Sequence, residues 1–209
     1  MSSGLTDIRA AIRRFATGSF VLLLDDPGRE GEADLLQSAQ FCTGESLNFM
    51  IKHARGLITL AIKAERLAEL ELPLIAPRYA PPHAPRFAVP VDYTPGTTTG
   101  VSAYDRAATV RAFLDPEAKP EHFARPGHVF PLAASAGGPQ ARGGHTEGAV
   151  GLAQLGELYP AVVMCELMDD DGHMATRDKA MAFAQEHEIP LVTVAQVTEA
   201  LSKRQGASA

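Results

Sequence analysis

The stretch "DDPGREGEADLL" (25–36) follows directly on the apolar run "SFVLLL" (19–24), and six of its first ten residues are charged. Asp25, Asp26, Glu30, Glu32 and Asp34 place five carboxylates beside one guanidinium, Arg29, among Gly, Pro and Ala. Carboxylates so close repel one another, and a divalent cation between them relieves the repulsion; hard oxygen donors suit Mg2+ or Mn2+. A solvated connection from strand to helix has the same composition. A second stretch, "ARGGHTEGA" (141–149), puts two glycines before a helix whose first turn holds His145, Thr146 and Glu147. A helix N-terminus attracts anions, Gly143 and Gly144 allow close approach of a ligand to backbone, and Arg142 can grip phosphate oxygens. His145 can also ligate a metal. Thr146 serves equally well as an N-cap and Glu147 as a favourable first-turn charge, and without a Walker lysine the segment is not a P-loop.

Two further acid–base candidates stand apart. In "RPGHVFPL" (125–132), Pro126 and Pro131 stiffen a loop that presents His128, either an acid or base near neutral pH or a plain surface residue. Glu166 lies inside the apolar run "AVVMCELM" (161–168), where an ionised carboxylate is costly unless paired or metal-bound. In "TTTGVSAYDRAATVRA" (97–112), three hydroxyls precede a tight turn, Asp105 suits a structural cap, and Arg106 is open to either role. His53, His83, His122, His173 and His187 show no partner spacing and read as surface or helix-end residues.

These side chains need a scaffold, and the hydrophobic pattern supplies one. Leu5, Ile8, Ile12 and Phe15 at helical spacing, closed by Gly18, predict a first helix. Helices are also predicted over 43–56, over "AERLAELEL", from Ser102 to about Phe113 with Ser102 and Asp105 as a capping box, over "HTEGAVGLAQLGELY", over "TRDKAMAFAQEHE" and over "AQVTEALSKR". Short apolar runs at 19–24, 57–62, 161–168 and "LVTV" read as buried strands, and "RFAVPVD" as an edge strand because Pro90 cannot donate to a ladder. The segment "ARPGHVFPLAASAGGPQARGG" is rich enough in Pro and Gly to read as ordered loop, and 73–90 as irregular. Alternating strands and helices without repeat or linker predict one domain over 1–209, α/β or α+β, with a frayed tail from about 200.

Composition narrows the function classes. The 209 residues are 45% hydrophobic and 21% charged, a globular balance, with a net charge of −6 and no basic cluster, which argues against nucleic acid. No apolar run reaches a membrane span, and the N-terminus lacks a signal peptide's core. Cys42 and Cys165 are solitary and suit a reducing cytoplasm.

In their order, "VLLLDDPGREGEADLL", "HARGLITLAI", "TTTGVSAYDRAATVRA", "RPGHVFPL", "RGGHTEGAV", "CELMDDDGHMA" and "LVTV" resemble the 3,4-dihydroxy-2-butanone 4-phosphate synthases of riboflavin biosynthesis. The resemblance implies a layered α/β sandwich with a mixed sheet of its own topology. It also implies a lyase that removes one carbon of D-ribulose 5-phosphate as formate, two Mg2+ or Mn2+ ions per site, and a homodimer with the site near its interface. It further implies metal ligation by Glu30 and His145 and catalysis by His128 and Glu166 with Asp34 and Glu30. Substrate contacts follow from Arg29, Glu30, Asp34, Arg142, Gly143, Gly144, His145, Thr146 and Glu166. The chain departs from the common pattern at Gly28, at Ala33, at Thr59 (where many members carry cysteine) and across 77–90. It lacks a cysteine-rich zinc segment, so no fused GTP cyclohydrolase II domain is expected. The alternatives are a related enzyme acting on another sugar phosphate and a binding paralogue without activity.

Overall fold

The computed structural model describes residues 4–26, 31–79 and 84–207. Among them, seven strands form one mixed sheet in the order β4-β5-β3-β6-β2-β1-β7. The strands are β1 (Val21–Leu24), β2 (Ala33–Ser38), β3 (Thr59–Lys63), β4 (Val91–Tyr93), β5 (Phe123–Ala134), β6 (Ala161–Glu166) and β7 (Leu191–Thr193). β1 with β7 and β3 with β5 run parallel, while β1–β2, β2–β6, β3–β6 and β4–β5 are antiparallel.

Helices cover both faces, which is why β1 and the first five residues of β6 are buried and apolar without alternation, and why β2 is buried along its whole length. On one face, Leu22, Leu24, Leu35, Leu60, Ile62, Val163 and Cys165 pack under α2 (Gly44–His53), α3 (Ala64–Glu69), α4 (Ala103–Ala112) and α7 (Arg177–Glu186). On the other, Val21, Leu23, Leu36, Ala61, Val162 and Met164 pack under α1 (Ile8–Phe15), α6 (His145–Leu155) and α8 (Val194–Ala207), with the short α5 (Gly138–Ala141) preceding α6. α6 lies deepest. An added Cβ at Gly148 would meet Leu23 Cδ2 at 3.0 Å and one at Gly151 would meet Leu201 Cδ1 at 2.8 Å, so small residues set how closely this helix approaches the sheet and α8. No helix among the described residues is long and apolar enough to cross a membrane.

Most expected elements form where the periodicity places them. Thr43 and Ser46 make a reciprocal capping box at α2, and Asp7 caps α1 through the N–H of Ala10. Four expectations change. The acidic stretch 25–36 joins two strands, not a strand and a helix, and its second half, Asp34 included, is β2. Residues 124–134, read as loop, belong to a twelve-residue strand, Phe123–Ala134. Its Pro131 is tolerated because the Pro131 carbonyl accepts from Ala88 N–H, so the missing donor faces this peripheral segment and not the β3 ladder. The Ser102–Asp105 box is half formed: Ser102 Oγ accepts the N–H of Asp105, but the Asp105 carboxylate turns to Thr98 and Gly100. Finally, α8 continues to Ala207 instead of fraying from about 200. The edge strand is confined to Val91–Tyr93, with Phe87 and Ala88 in isolated bridges.

Candidate active site

Antiparallel pairing of β2 and β6 sets Asp34 directly opposite Glu166. Alternation then puts both on the α6 face, because Leu36 and Met164, two residues away on each strand, belong to that face. Facing residues on neighbouring strands have Cβ atoms about 5 Å apart, so two carboxylates share one spot. Asp34 is 4% exposed and its Oδ1 has no hydrogen-bond partner among the described residues. Burial pushes its carboxyl up to about 7; Glu166, Glu32 and Asp25 add to the rise, and His145 opposes it. Such a group takes up and releases a proton near neutrality.

Glu166 is held differently. Its Oε2 accepts the N–H of Leu57 at 2.7 Å, and its backbone carbonyl accepts that of Gly56 at 3.1 Å. A Cβ at Gly56 would stand 2.5 Å from both Glu166 O and Oε2, so only glycine allows this fold-back. Sequence reasoning read Gly56 as a helix stop and missed this second role. Thr59, beside Met164, is 1% exposed and reaches the Met164 carbonyl at 3.4 Å.

α6 delivers the third group from above the sheet. Its N-cap is Gly144, with no side-chain cap, so Thr146 is not the cap but a buried first-turn residue. The His145 side chain is 10% exposed; Nδ1 lies 3.6 Å from Asp25 Oδ1, and the buried Nε2 has no hydrogen-bond partner among the described residues. Asp25 at the start of the acidic turn and His145 therefore do converge. Arg29 and Glu30 lie outside the described residues. Arg142 pairs with Glu147 at 2.5 Å, and the other oxygen of Glu147 accepts the N–H of Ser135 at 3.0 Å. Glu147, 1% exposed, thus anchors a guanidinium beside the uncapped helix end, more than a favourable first-turn charge. Gly143 and Gly144 form the turn between them, and a Cβ at Gly144 would collide with Arg142 Nη1.

His128 is not brought to this group. Among the described residues no hydrogen bond or ion pair joins it to Asp34, Glu166 or His145; its partner is Asp92, on β4. It precedes the β3–β5 ladder by two residues, while Glu166 continues the β3–β6 ladder by two at the same sheet end. Two strand spacings separate them, roughly 10 Å. Arg106 lies near enough to Asp92 and Cys165 to feel their charges, and its buried Nε makes no hydrogen bond among the described residues.

The model of the 3,4-dihydroxy-2-butanone 4-phosphate synthase family matches residues 9–200. The chain belongs to this family. It is 43% identical over 190 residues to the synthase of Agrobacterium fabrum, covering 91% of this chain and 89% of that one. It is 38% identical over 204 residues to the synthase of Candida albicans, covering 97% and 100%. A riboflavin biosynthesis protein RibBA of Aquifex aeolicus is 46% identical over 200 residues, which are 95% of this chain and 49% of that protein. This chain spans about half the length of several curated relatives that it matches. A crystal structure of a synthase in complex with two magnesium ions superposes with a TM-score of 0.89 at 39% identity, covering 97% of this chain and 99% of the other. The cation-free form of a synthase gives 0.88 at 38%, covering 96% and 99%. The mixed seven-stranded sheet is the synthase fold.

Proposed function

We propose that the protein is a lyase that converts D-ribulose 5-phosphate to 3,4-dihydroxy-2-butanone 4-phosphate and formate, for riboflavin biosynthesis in the cytoplasm. The observation that carries the reading is the opposition of the β2 and β6 carboxylates, with the buried imidazole of α6 against Asp25 and near enough to Asp34 to favour its charged form. Family membership supplies the reaction class; the spot supplies groups suited to it.

A divalent ion fits the residues present. The buried Nε2 of His145 beside Asp25, and Oδ1 of Asp34, have no hydrogen-bond partner among the described residues and can donate electron pairs to an ion. Among the described residues no three of His, Cys, Asp and Glu stand close enough to hold an ion by themselves, so the assignment of His145 as ligand includes Glu30 from the acidic turn. Two Mg2+ or Mn2+ ions are the proposed complement. A bound ion would polarise the C2 ketone and acidify the neighbouring C–H.

The chain's own groups do the rest. Arg142, held rigid by Glu147, and the uncapped N-terminus of α6 with Thr146 anchor the phosphate, with Gly143 and Gly144 letting it close on backbone. Arg29 and Glu30 contact the sugar from the acidic turn. Asp34 and Glu166, facing each other, exchange the protons of enolisation and of later water loss. His128 serves a proton transfer at a distance from this pair that one chain does not bridge. We therefore propose a homodimer in which a second copy brings its histidine to the site. Support comes from Leu57 and Val101, exposed apolar residues that border Glu166 and the Asp92 turn respectively.

The deciding experiment mixes protein, Mg2+ and D-ribulose 5-phosphate and measures formate. One formate per four-carbon phosphate is expected, abolished by EDTA and restored by metal; Glu30→Gln and His145→Ala should each weaken metal binding and stop turnover. Absence of formate with metal present, or turnover indifferent to EDTA, would sink the reading.

A further inference from the structure

Between β4 and β5 the pairing slips. Val91 faces Val129, but Asp92 faces Ala124, so residues 125–128 leave the ladder as a bulge that ends on His128. Bulges of this kind re-aim a side chain. This one is pinned at its start, where Arg125 donates to the carbonyls of Leu70 and Glu71. It is pressed on β4 at Gly127, where a Cβ would collide with the Val91 carbonyl.

At the end of the bulge both oxygens of one carboxylate take hold of one histidine. Asp92 Oδ1 accepts the backbone N–H of His128 at 2.8 Å, and Asp92 Oδ2 lies 2.7 Å from Nδ1 of its ring. The Asp92 side chain is 13% exposed and that of His128 47%, so the acid sits behind and the ring edge faces out. Behind the acid stands the 97–100 turn. Gly100, at φ +83°, packs against Asp92 so closely that a Cβ would collide with Oδ2. That turn is ordered by Asp105, which accepts from Thr98 N at 3.2 Å, Thr98 Oγ1 at 2.7 Å and Gly100 N at 3.2 Å. Arg106, one residue on, adds a positive charge facing Asp92. Thr98, Gly100 and Asp105 thus build a seat for one carboxylate.

We infer that Asp92 is a positioning residue that holds His128 as the Nδ1–H tautomer and leaves Nε2 as the ring atom offered to substrate. A carboxylate only accepts, so a neutral ring facing it must carry its proton on Nδ1. Nε2 is then an acceptor, competent as a base, and makes no hydrogen bond among the described residues. This inference rests on the reading above that His128 transfers a proton, and it names what makes that histidine serviceable. An asparagine at 92 keeps the shape and can still accept at Oδ1, but it turns an NH2 group toward the ring and favours the opposite tautomer.

Two measurements test it. The first needs no substrate: long-range 1H–15N correlation of histidine-labelled protein at neutral pH should show His128 as Nδ1–H. An Nε2–H ring in the native protein would overturn the inference. The second compares Asp92→Asn with the native enzyme. Its His128 signal should move to the Nε2–H pattern, and kcat should fall on the order of 100-fold with KM changed less than about threefold. Melting temperature should hardly move. Near-normal kcat, or an unchanged tautomer, would overturn the inference. If native protein releases no formate, the lyase reading fails, while the tautomer spectrum still decides the Asp92–His128 pairing by itself.

Discussion

Replacing Asp34 with asparagine should stabilise the metal-free protein, by an amount that grows with pH. Burial raises this carboxyl from 3.8 to about 7, reinforced by Glu166, Glu32 and Asp25 against the opposing pull of His145. A raised carboxylate acts opposite to a salt-bridged one. From about pH 4 the unfolded chain releases a proton that the folded chain keeps, so stability falls as pH climbs and levels off only above about 7. A rise of about three units, at 1.36 kcal/mol each, costs roughly 4 kcal/mol by pH 8, and less than half of that at pH 5. The Asp34→Asn variant has no such ionisation. Its stability advantage should therefore widen by roughly 2 to 3 kcal/mol between pH 5 and pH 8. Urea unfolding of both proteins in EDTA, at pH 5, 6, 7 and 8, measures this directly. A difference independent of pH, or one that shrinks as pH rises, would mean that Asp34 ionises like a surface carboxylate, and the acid–base role proposed for it would lose its physical basis. The same variant should turn over substrate poorly, a trade of stability for function expected of a buried reactive acid.

Other outcomes follow from the same geometry. Arg142→Ala should raise KM for the sugar phosphate at least tenfold, about 1.4 kcal/mol or more, by steady-state kinetics; an unchanged KM would remove Arg142 from the phosphate. Gly56→Ala drives a methyl group into Glu166, so kcat should fall sharply and unfolding free energy drop by about 1 to 3 kcal/mol, while wild-type kinetics would show that Glu166 needs no such seat. Burial pushes the thiols of Cys42 and Cys165 up to about 12, so DTNB at pH 8 should label the native protein roughly a thousandfold more slowly than a free thiol, and both cysteines quickly in denaturant. A native thiol labelled within seconds would contradict that burial.

The sequence alone carries the helices and the buried strands, because their signals are local. Thr43 and Ser102 at helix starts, the 3.6-residue spacing around Ile8 and Ile12, and the short, mostly apolar runs of β1, β3 and β6 need no distant partner to be read. The ordered motifs likewise carry the family, since residue types that serve one reaction keep their order along the chain. Composition misleads where long-range pairing overrules it. Pro126, Gly127 and Pro131 read as loop, yet β3 recruits residues 130–134 into a parallel ladder and β4 tolerates the bulge before them. β2 was hidden because its start, with Asp34 just after Glu32, looks like a turn, and only pairing with β1 and β6 on both sides makes it a central strand.

What the tertiary structure decided is which charges meet. The sequence lists Asp34 and Glu166 as separate acids 132 positions apart; antiparallel register sets them face to face and buries one until it holds its proton to about 7. It likewise gives Asp25 and His145 to each other, Glu147 to Arg142, and Asp92 to His128. None of these pairs is encoded by local spacing, because burial and electrostatic coupling depend on distances through space, and those are set by how strands pair and helices dock.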